Sequence, residues 1–538
     1  NACPLVACPL VASLRPHLAR IVIPHRFGWS TLVRLSPEID SPTDVSPEAG
    51  TVLRGSLGFI HGRSRPGSGL AGCPVGEPPC WGNSLADFGG CSRHNSAPVH
   101  DFRYASGRLF CEGVPIETLV ERYGTPLYVY STHTLRDHFC KLDEALLPLD
   151  HLICFAVKAN SNLAVLRTLA NAGSGFDIVS EGELRRVIAA GGDPERCVFA
   201  GVGKTEREIE FALRQGIYSL NAESEPELER IHRVAARLGV VAPVAIRVNP
   251  NVDAKTHAKI TTGTYENKFG IAFEAIERVY ARAARLKNLR LKGLQMHIGS
   301  QLTEVKPFRL AVEKVVPLAE RLHRRHGFEF FSIGGGIGIV YNPALASGAP
   351  EWWAETPDAR HILTPHTYAH TLKPLLAPLG LRILLEPGRF IVGNAGALVT
   401  RVEFVKRTGR KNFVIVDAAM NDLIRPAFYD AYHEIIPVRR KSTRTLVASD
   451  VVGPICESGD YFAKERPLPK VAEGDHLALL SAGAYGSVMG SNYNSRALAA
   501  EVLVDGTRHA LVRERQPLGD IWSRERLPSW LTRTGRKR

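Results

Sequence analysis

The chain has 538 residues, 44% hydrophobic and 22% charged, an ordinary globular composition with room for two or three domains. It has no run of 18 or more apolar residues, so no membrane span is expected. Of the net charge of +13, the first 95 residues carry +2, the last sixteen +5 and the 427 between them +6; no basic stripe interleaved with aromatics accompanies it, so no nucleic-acid partner is expected.

Residues 1–95 stand apart. They hold eleven prolines, a direct repeat (Ala-Cys-Pro-Leu-Val at 2–6 and 7–11) and Gly/Ser/Pro-rich runs, with little helix or strand periodicity, and read as a disordered extension. The stretch starts at Asn1 rather than Met, which fits a processed end, a truncation or an over-extended reading frame. Its excess of Arg over acids also leaves room for a transit peptide, and so for a plastid destination beside the cytoplasmic one. Five cysteines fall in this stretch and five are scattered singly, with no CxxC pair, so a reducing compartment is expected and a metal site is not.

Residues 131–394 read as one domain, in which short apolar runs alternate with helical patterns from about residue 150 onward. The runs are His151–Ala156, Gly175–Val179, Cys197–Ala200, Ile217–Leu220, Val244–Val248, Gly293–His297, Phe330–Ile333 and Arg382–Leu385. Between them lie helices near 162–172, 181–190, 205–215, 223–238, 273–286 and 305–326, several opening on Ser, Thr or Asn before acids and stopping at Gly. Eight such strands favour an α/β fold of the (β/α)8 barrel type over an open doubly wound sheet. Residues 395–515 read as a second, all-β barrel-like domain, with strands near 397–406, 412–417, 445–452, 475–480 and 497–504. The extended segments Phe102–Cys111 and Leu127–Tyr130, within 96–130, are expected to join it, so that both chain ends build one domain; 516–538 is left as a basic tail.

In a (β/α)8 barrel the chemistry sits at the C-terminal ends of the strands. Four unusual clusters fall there. The first strand runs into Lys158, which desolvation would tune downward for Schiff-base chemistry, although a lysine snorkelling to solvent is the plainer reading. The sixth ends at His297, equally readable as a hydrogen-bonded structural histidine. The seventh ends in Gly334-Gly335-Gly336-Ile337-Gly338, a phosphate cradle or a ligand-free tight turn. The eighth ends in Glu386-Pro387-Gly388-Arg389, where Glu386 suits a protonated ring nitrogen and Arg389 a carboxylate or phosphate, against the alternative of a structural Glu–Arg pair. In the β-domain, Cys456 stands beside Glu457 and Asp460, whose charge favours a protonated, proton-donating thiol. A lysine, a glycine-rich cradle and a strand-end glutamate together suit an aldehyde-bearing pyridine phosphate.

These stretches, with Phe176–Glu183, Lys268-Phe269-Gly270 and Gly483–Tyr485, resemble the fold-type III pyridoxal-5′-phosphate-dependent decarboxylases, and among them the diaminopimelate decarboxylase family, over residues 100–512. The resemblance implies that Lys158 carries the cofactor as a Schiff base and that His297 stacks on its ring. It also implies that Gly334, Gly335, Gly336, Gly388, Arg389 and Tyr485 surround the phosphate, and that Glu386 keeps the pyridine nitrogen protonated. Cys456 and Glu457 would come from the partner subunit of a head-to-tail homodimer, Cys456 as proton donor.

Substrate choice turns on the far end of the molecule. meso-Diaminopimelate ends in a second amino-carboxylate, whereas ornithine, lysine and arginine end in a cation. Arg425 and Tyr429, four residues apart, with Arg389 and Tyr485, resemble a distal-carboxylate clamp, and Glu457 suits the distal amine. An ordinary interface role for Arg425 is the plainer alternative. The expected reaction is decarboxylation of meso-2,6-diaminopimelate to L-lysine and CO2, the last step of lysine biosynthesis. The rivals are ornithine, arginine or carboxynorspermidine decarboxylation, an amino-acid racemase of the same barrel class, and a non-catalytic homologue.

Overall fold

A computed structural model describes residues 100–252, 268–442 and 445–532. The extension 1–95 and the end of the basic tail lie outside the described residues. Among the described residues no helix is long and apolar enough to cross a membrane.

The chain enters through β1 (Phe102–Ala105), β2 (Arg108–Cys111), β3 (Val114–Pro115) and β4 (Leu127–Ser131). Eight parallel strands then close a barrel: β5 (His151–Ala156), β6 (Gly175–Ile178), β7 (Cys197–Phe199), β8 (Ser219–Ala222), β9 (Ala242–Asn249), β11 (Leu289–Met296), β12 (Phe330–Ser332) and β13 (Arg382–Leu385). The short β10 (Ile271–Ala272) pairs with β9 outside the ring. All eight apolar runs singled out above are barrel strands, in the same order.

Local chemistry starts the helices where the sequence marks them. Asn162, Ser180 and Ser224 each accept a backbone N–H of the first helical turn, and Thr205 and Glu208 cap each other reciprocally. Of the helices longer than ten residues, two carry weaker signals and are not among those expected: Thr132–Leu146 and Pro365–Leu376. The second begins at a proline and contains another, a composition that hides its period. Inside the barrel, at the end opposite the strand C-termini, Leu152, Cys154, Val198, Ala245, Phe330 and Leu384 form a closed apolar plug. Gly293 lets the Phe330 ring of this plug pack closely, since a Cβ there would stand 2.5 Å from the ring.

The β-domain has β14 (Gly396–Arg407), β15 (Asn412–Val416), β16 (Ile435–Pro437), β17 (Leu446–Val452), β18 (Tyr461–Pro469), β19 (His476–Leu479), β20 (Ala500–Asp505) and β21 (Arg508–Arg513). Its main sheet runs β18-β17-β15-β14-β4-β20-β21, with β19 paired to β14 and β16 paired in turn to β19. Strand β4 therefore sits between two C-terminal strands, antiparallel to β14 and parallel to β20, so both chain ends do build this domain.

The earlier segment Phe102–Cys111 behaves differently from the expectation. Ser106 and Gly107 take positive φ and turn the chain back, so β1, β2 and β3 form their own sheet. That sheet meets the β-domain through the Leu109 N–H to the Val438 carbonyl (2.8 Å) and a shared apolar cluster that includes Leu109, Val129, Val438 and Val502.

Candidate active site

A cavity of about 380 Å³ opens where the C-terminal ends of the barrel strands face the β-domain. It is built in two halves.

The first half belongs to the barrel. Lys158 follows β5 in the turn Val157–Ala159, and its side chain, 42% exposed, opens into the cavity. Its Nζ lies 2.9 Å from Oδ2 of Asp177 on β6, in register with Ala156. Burial alone would lower the amine's pKa, as the sequence reading expected. Instead Asp177, and then Tyr485, outweigh burial and hold the ammonium above its ordinary range. The expectation of a lysine tuned downward is thus corrected: an acid on the neighbouring strand reverses the sign.

Glu386, at the end of β13, is buried and accepts from Ser332 Oγ (2.7 Å) and Gln295 Nε2 (3.0 Å). Burial first, then the negative Asp177, push its pKa up, while Ser332 and Lys158 oppose the rise. His297 Nδ1 accepts the Gly335 N–H at 3.2 Å. Burial, then the positive Arg247 and Lys158, hold the imidazole far below its usual pKa, so it is neutral. Arg247 also lines the cavity but is tied to Glu223 at 3.0 Å.

The second half is cationic. Arg389, just after Glu386, donates to Tyr341 Oη (2.6 Å) and Ser300 Oγ (3.1 Å) and lies 5.0 Å above the Tyr485 ring. Arg425 opens the short helix Arg425–Tyr429 of the β-domain and donates to the same Tyr341 oxygen (3.1 Å). Both arginines are buried, and among the described residues neither has a carboxylate within 4.0 Å. Tyr429 and Tyr485 complete this side.

The cavity thus gathers Lys158, His297, Glu386, Gly388 and Arg389 with Arg425, Tyr429 and Tyr485. Of the triple glycine, Gly336 lines it. Its φ of +115° and a Cβ position 2.4 Å from the Gly299 carbonyl admit no side chain. Gly334 and Gly335 lie behind, their N–H groups engaged by Ser332 Oγ and His297 Nδ1. Cys456 and Glu457 are not in the lining: Cys456 is an exposed thiol, and Glu457 accepts from Tyr493 Oη at 2.8 Å. Their loop is pinned by Asp460, whose carboxylate accepts the Met420 and Ile455 N–H groups, each at 2.7 Å.

Sequence reasoning assigned no role to Asp177, Gln295, Ser332, Tyr341 or His433. Asp177 carried a signal, being the one charged residue in the apolar strand Gly175–Ile178. Tyr341 and His433 lie in loops with no periodic pattern to single them out.

The donor set fits pyridoxal 5′-phosphate. A primary amine opens into a cavity with a neutral imidazole and an acid suited to a ring nitrogen. Three buried polar atoms around it, Asp177 Oδ1, Gln295 Oε1 and Arg389 Nε, have no protein partner among the described residues. Two guanidiniums that have no acid partner among the described residues suit the phosphate and carboxylates of the reactants.

Comparison with known proteins agrees. The family model described as "Pyridoxal-dependent decarboxylase, pyridoxal binding domain" matches residues 133–393. The chain is 50% identical over 425 residues to the diaminopimelate decarboxylase of Vibrio cholerae, covering 78% of this chain and 97% of that protein. It is 50% identical over 430 residues to the Pseudomonas aeruginosa enzyme of the same name, covering 79% and 99%. Its fold matches the crystal structure of diaminopimelate decarboxylase from Helicobacter pylori complexed with L-lysine, with a TM-score of 0.70, 40% identity and coverage of 76% and 98%. On fold, site chemistry and these matches together, the chain belongs to the diaminopimelate decarboxylase family of pyridoxal-dependent decarboxylases.

Proposed function

We propose that the protein removes CO2 from meso-2,6-diaminopimelate to form L-lysine, using pyridoxal 5′-phosphate, as the closing step of lysine biosynthesis. The observation that carries this reading is the cavity's division. A lysine and two acids face one end, and two arginines with no acid partner among the described residues face the other.

When bound, the cofactor supplies an electron-poor pyridine ring that takes up the electron pair released as the C–CO2 bond breaks. The chain's own residues do the rest. Lys158 holds the cofactor covalently, and Asp177 sets the protonation of its amine. Glu386, braced by Ser332 and Gln295, keeps a proton on the ring nitrogen. A neutral His297 offers a flat face to the ring without repelling that proton. Gly336, Gly388 and Tyr485 border the phosphate, and Arg389, Arg425 and Tyr429 grip the substrate's distal carboxylate.

We further propose a homodimer in which Cys456 and Glu457 of the partner subunit complete each cavity, the thiol returning a proton to the carbon that lost CO2 and the carboxylate taking the distal amine. Their exposure outside their own chain's cavity supports this. A cytoplasmic enzyme is part of the same reading, in keeping with the free thiols of Cys111, Cys154, Cys197 and Cys456.

Release of CO2 from holoenzyme offered meso-diaminopimelate, ornithine, lysine and arginine in parallel tests the proposal. Release from meso-diaminopimelate with L-lysine as product is expected. Release from ornithine or arginine instead would keep the cofactor site and overturn the clamp.

A further inference from the structure

The two arginines at the cationic end are held by uncharged groups. Arg425 Nη2 and Arg389 Nη1 both donate to Tyr341 Oη, at 3.1 and 2.6 Å. Arg425 Nε donates to Nε2 of His433 at 3.3 Å. His433 is completely buried, and its Nδ1 lies 2.9 Å from the Leu480 carbonyl oxygen. That oxygen can only accept, so Nδ1 carries the hydrogen and Nε2 presents a lone pair to Arg425. Burial, then the charge of Arg425, hold the imidazole neutral, with its pKa lowered to about 3. The Tyr341 ring stands edge-on to His433, with centroids 5.4 Å apart and planes at 85°, so the two acceptors support each other.

We propose that Tyr341 and His433 are positioning residues that set substrate selectivity. They form a charge-neutral bracket that orients Arg389 and Arg425 toward the substrate's distal carboxylate while leaving both positive charges for it. An aspartate or glutamate in either place would fix an arginine as firmly, but it would neutralise the charge that the ligand needs. The phenol oxygen already accepts from both guanidiniums, so its own hydrogen is the capacity left to offer an anion. The inference deepens the reading above and rests on its assignment of the cationic end to the distal carboxylate.

The chemistry of the product supplies a discriminating probe. Decarboxylation at one end of meso-diaminopimelate leaves the other amino-carboxylate intact, so L-lysine keeps the distal carboxylate and 1,5-diaminopentane has none. In the holoenzyme, Tyr341→Phe and His433→Ala are each expected to raise the KM for meso-diaminopimelate and the inhibition constant of L-lysine by about tenfold. The inhibition constant of 1,5-diaminopentane and the cofactor's visible absorbance are expected to stay as in the parent, with kcat changed far less than KM. His433→Gln, whose amide oxygen can replace the Nε2 lone pair, is expected to restore the parent values.

Unchanged KM and lysine inhibition in both Tyr341→Phe and His433→Ala would overturn the proposal. So would equal weakening of L-lysine and 1,5-diaminopentane, the mark of a merely structural role. A parent enzyme that releases no CO2 from meso-diaminopimelate would remove the functional reading instead. Direct binding of the same two amines to parent and variants would then still decide whether the bracket serves a carboxylate.

Discussion

The two halves of the cavity treat charge in opposite ways. In the barrel half each cation has an acid: Lys158 has Asp177 and Arg247 has Glu223. In the half shared with the β-domain, Arg389 and Arg425 meet phenol, hydroxyl and imidazole. Buried acid–base pairs hold protons and set pKa values, whereas buried cations with neutral partners form an anion receptor. The difference separates the two tasks of a decarboxylase, managing electrons and protons at one carbon and recognising the far end of the substrate. It also predicts that changes in the barrel half act mainly on kcat and changes in the other half mainly on KM.

Lys158→Ala tests that division most severely. It is expected to abolish the visible absorbance of bound cofactor and to cut turnover by several orders of magnitude, since the covalent attachment is gone. Retention of the absorbance band would assign the cofactor to another lysine.

Glu386→Gln keeps the shape of the site and removes the acid. A fall in kcat of about 100-fold with KM nearly unchanged is expected in steady-state kinetics. An equal rise in KM would mean that the halves are not separable.

Asp177→Asn gives the smallest effect and the sharpest one. Asp177 raises the pKa of Lys158 against burial, so without it burial prevails and the pKa falls. The neutral amine that captures cofactor then appears at lower pH. The pH profile of cofactor binding by apoenzyme is expected to move toward acid, and an unmoved profile would detach Asp177 from that role.

Much of the barrel half was legible in the sequence because local rules wrote it there. Apolar runs of strand length, caps such as Ser180 and Thr205, and the position of Lys158, His297 and Glu386 just past strand ends all follow from neighbours along the chain. The ionisation of these residues did not follow. Lys158 read as a desolvated amine until Asp177, nineteen positions away, came into register beside it. Phe102–Cys111 likewise had the composition of a strand, but the Ser106-Gly107 turn paired it with its own continuation.

The amino-acid order by itself determined the eight barrel strands, the all-β second domain and the family motifs, because period, propensity and turn chemistry act over a few residues. Only the tertiary structure decided which charges have partners. Tyr341, Arg389, Arg425 and His433 are scattered between positions 341 and 433 and meet because a barrel loop closes against a β-domain helix. Electrostatic energy depends on distance through space and on burial, and neither quantity is encoded in spacing along the chain.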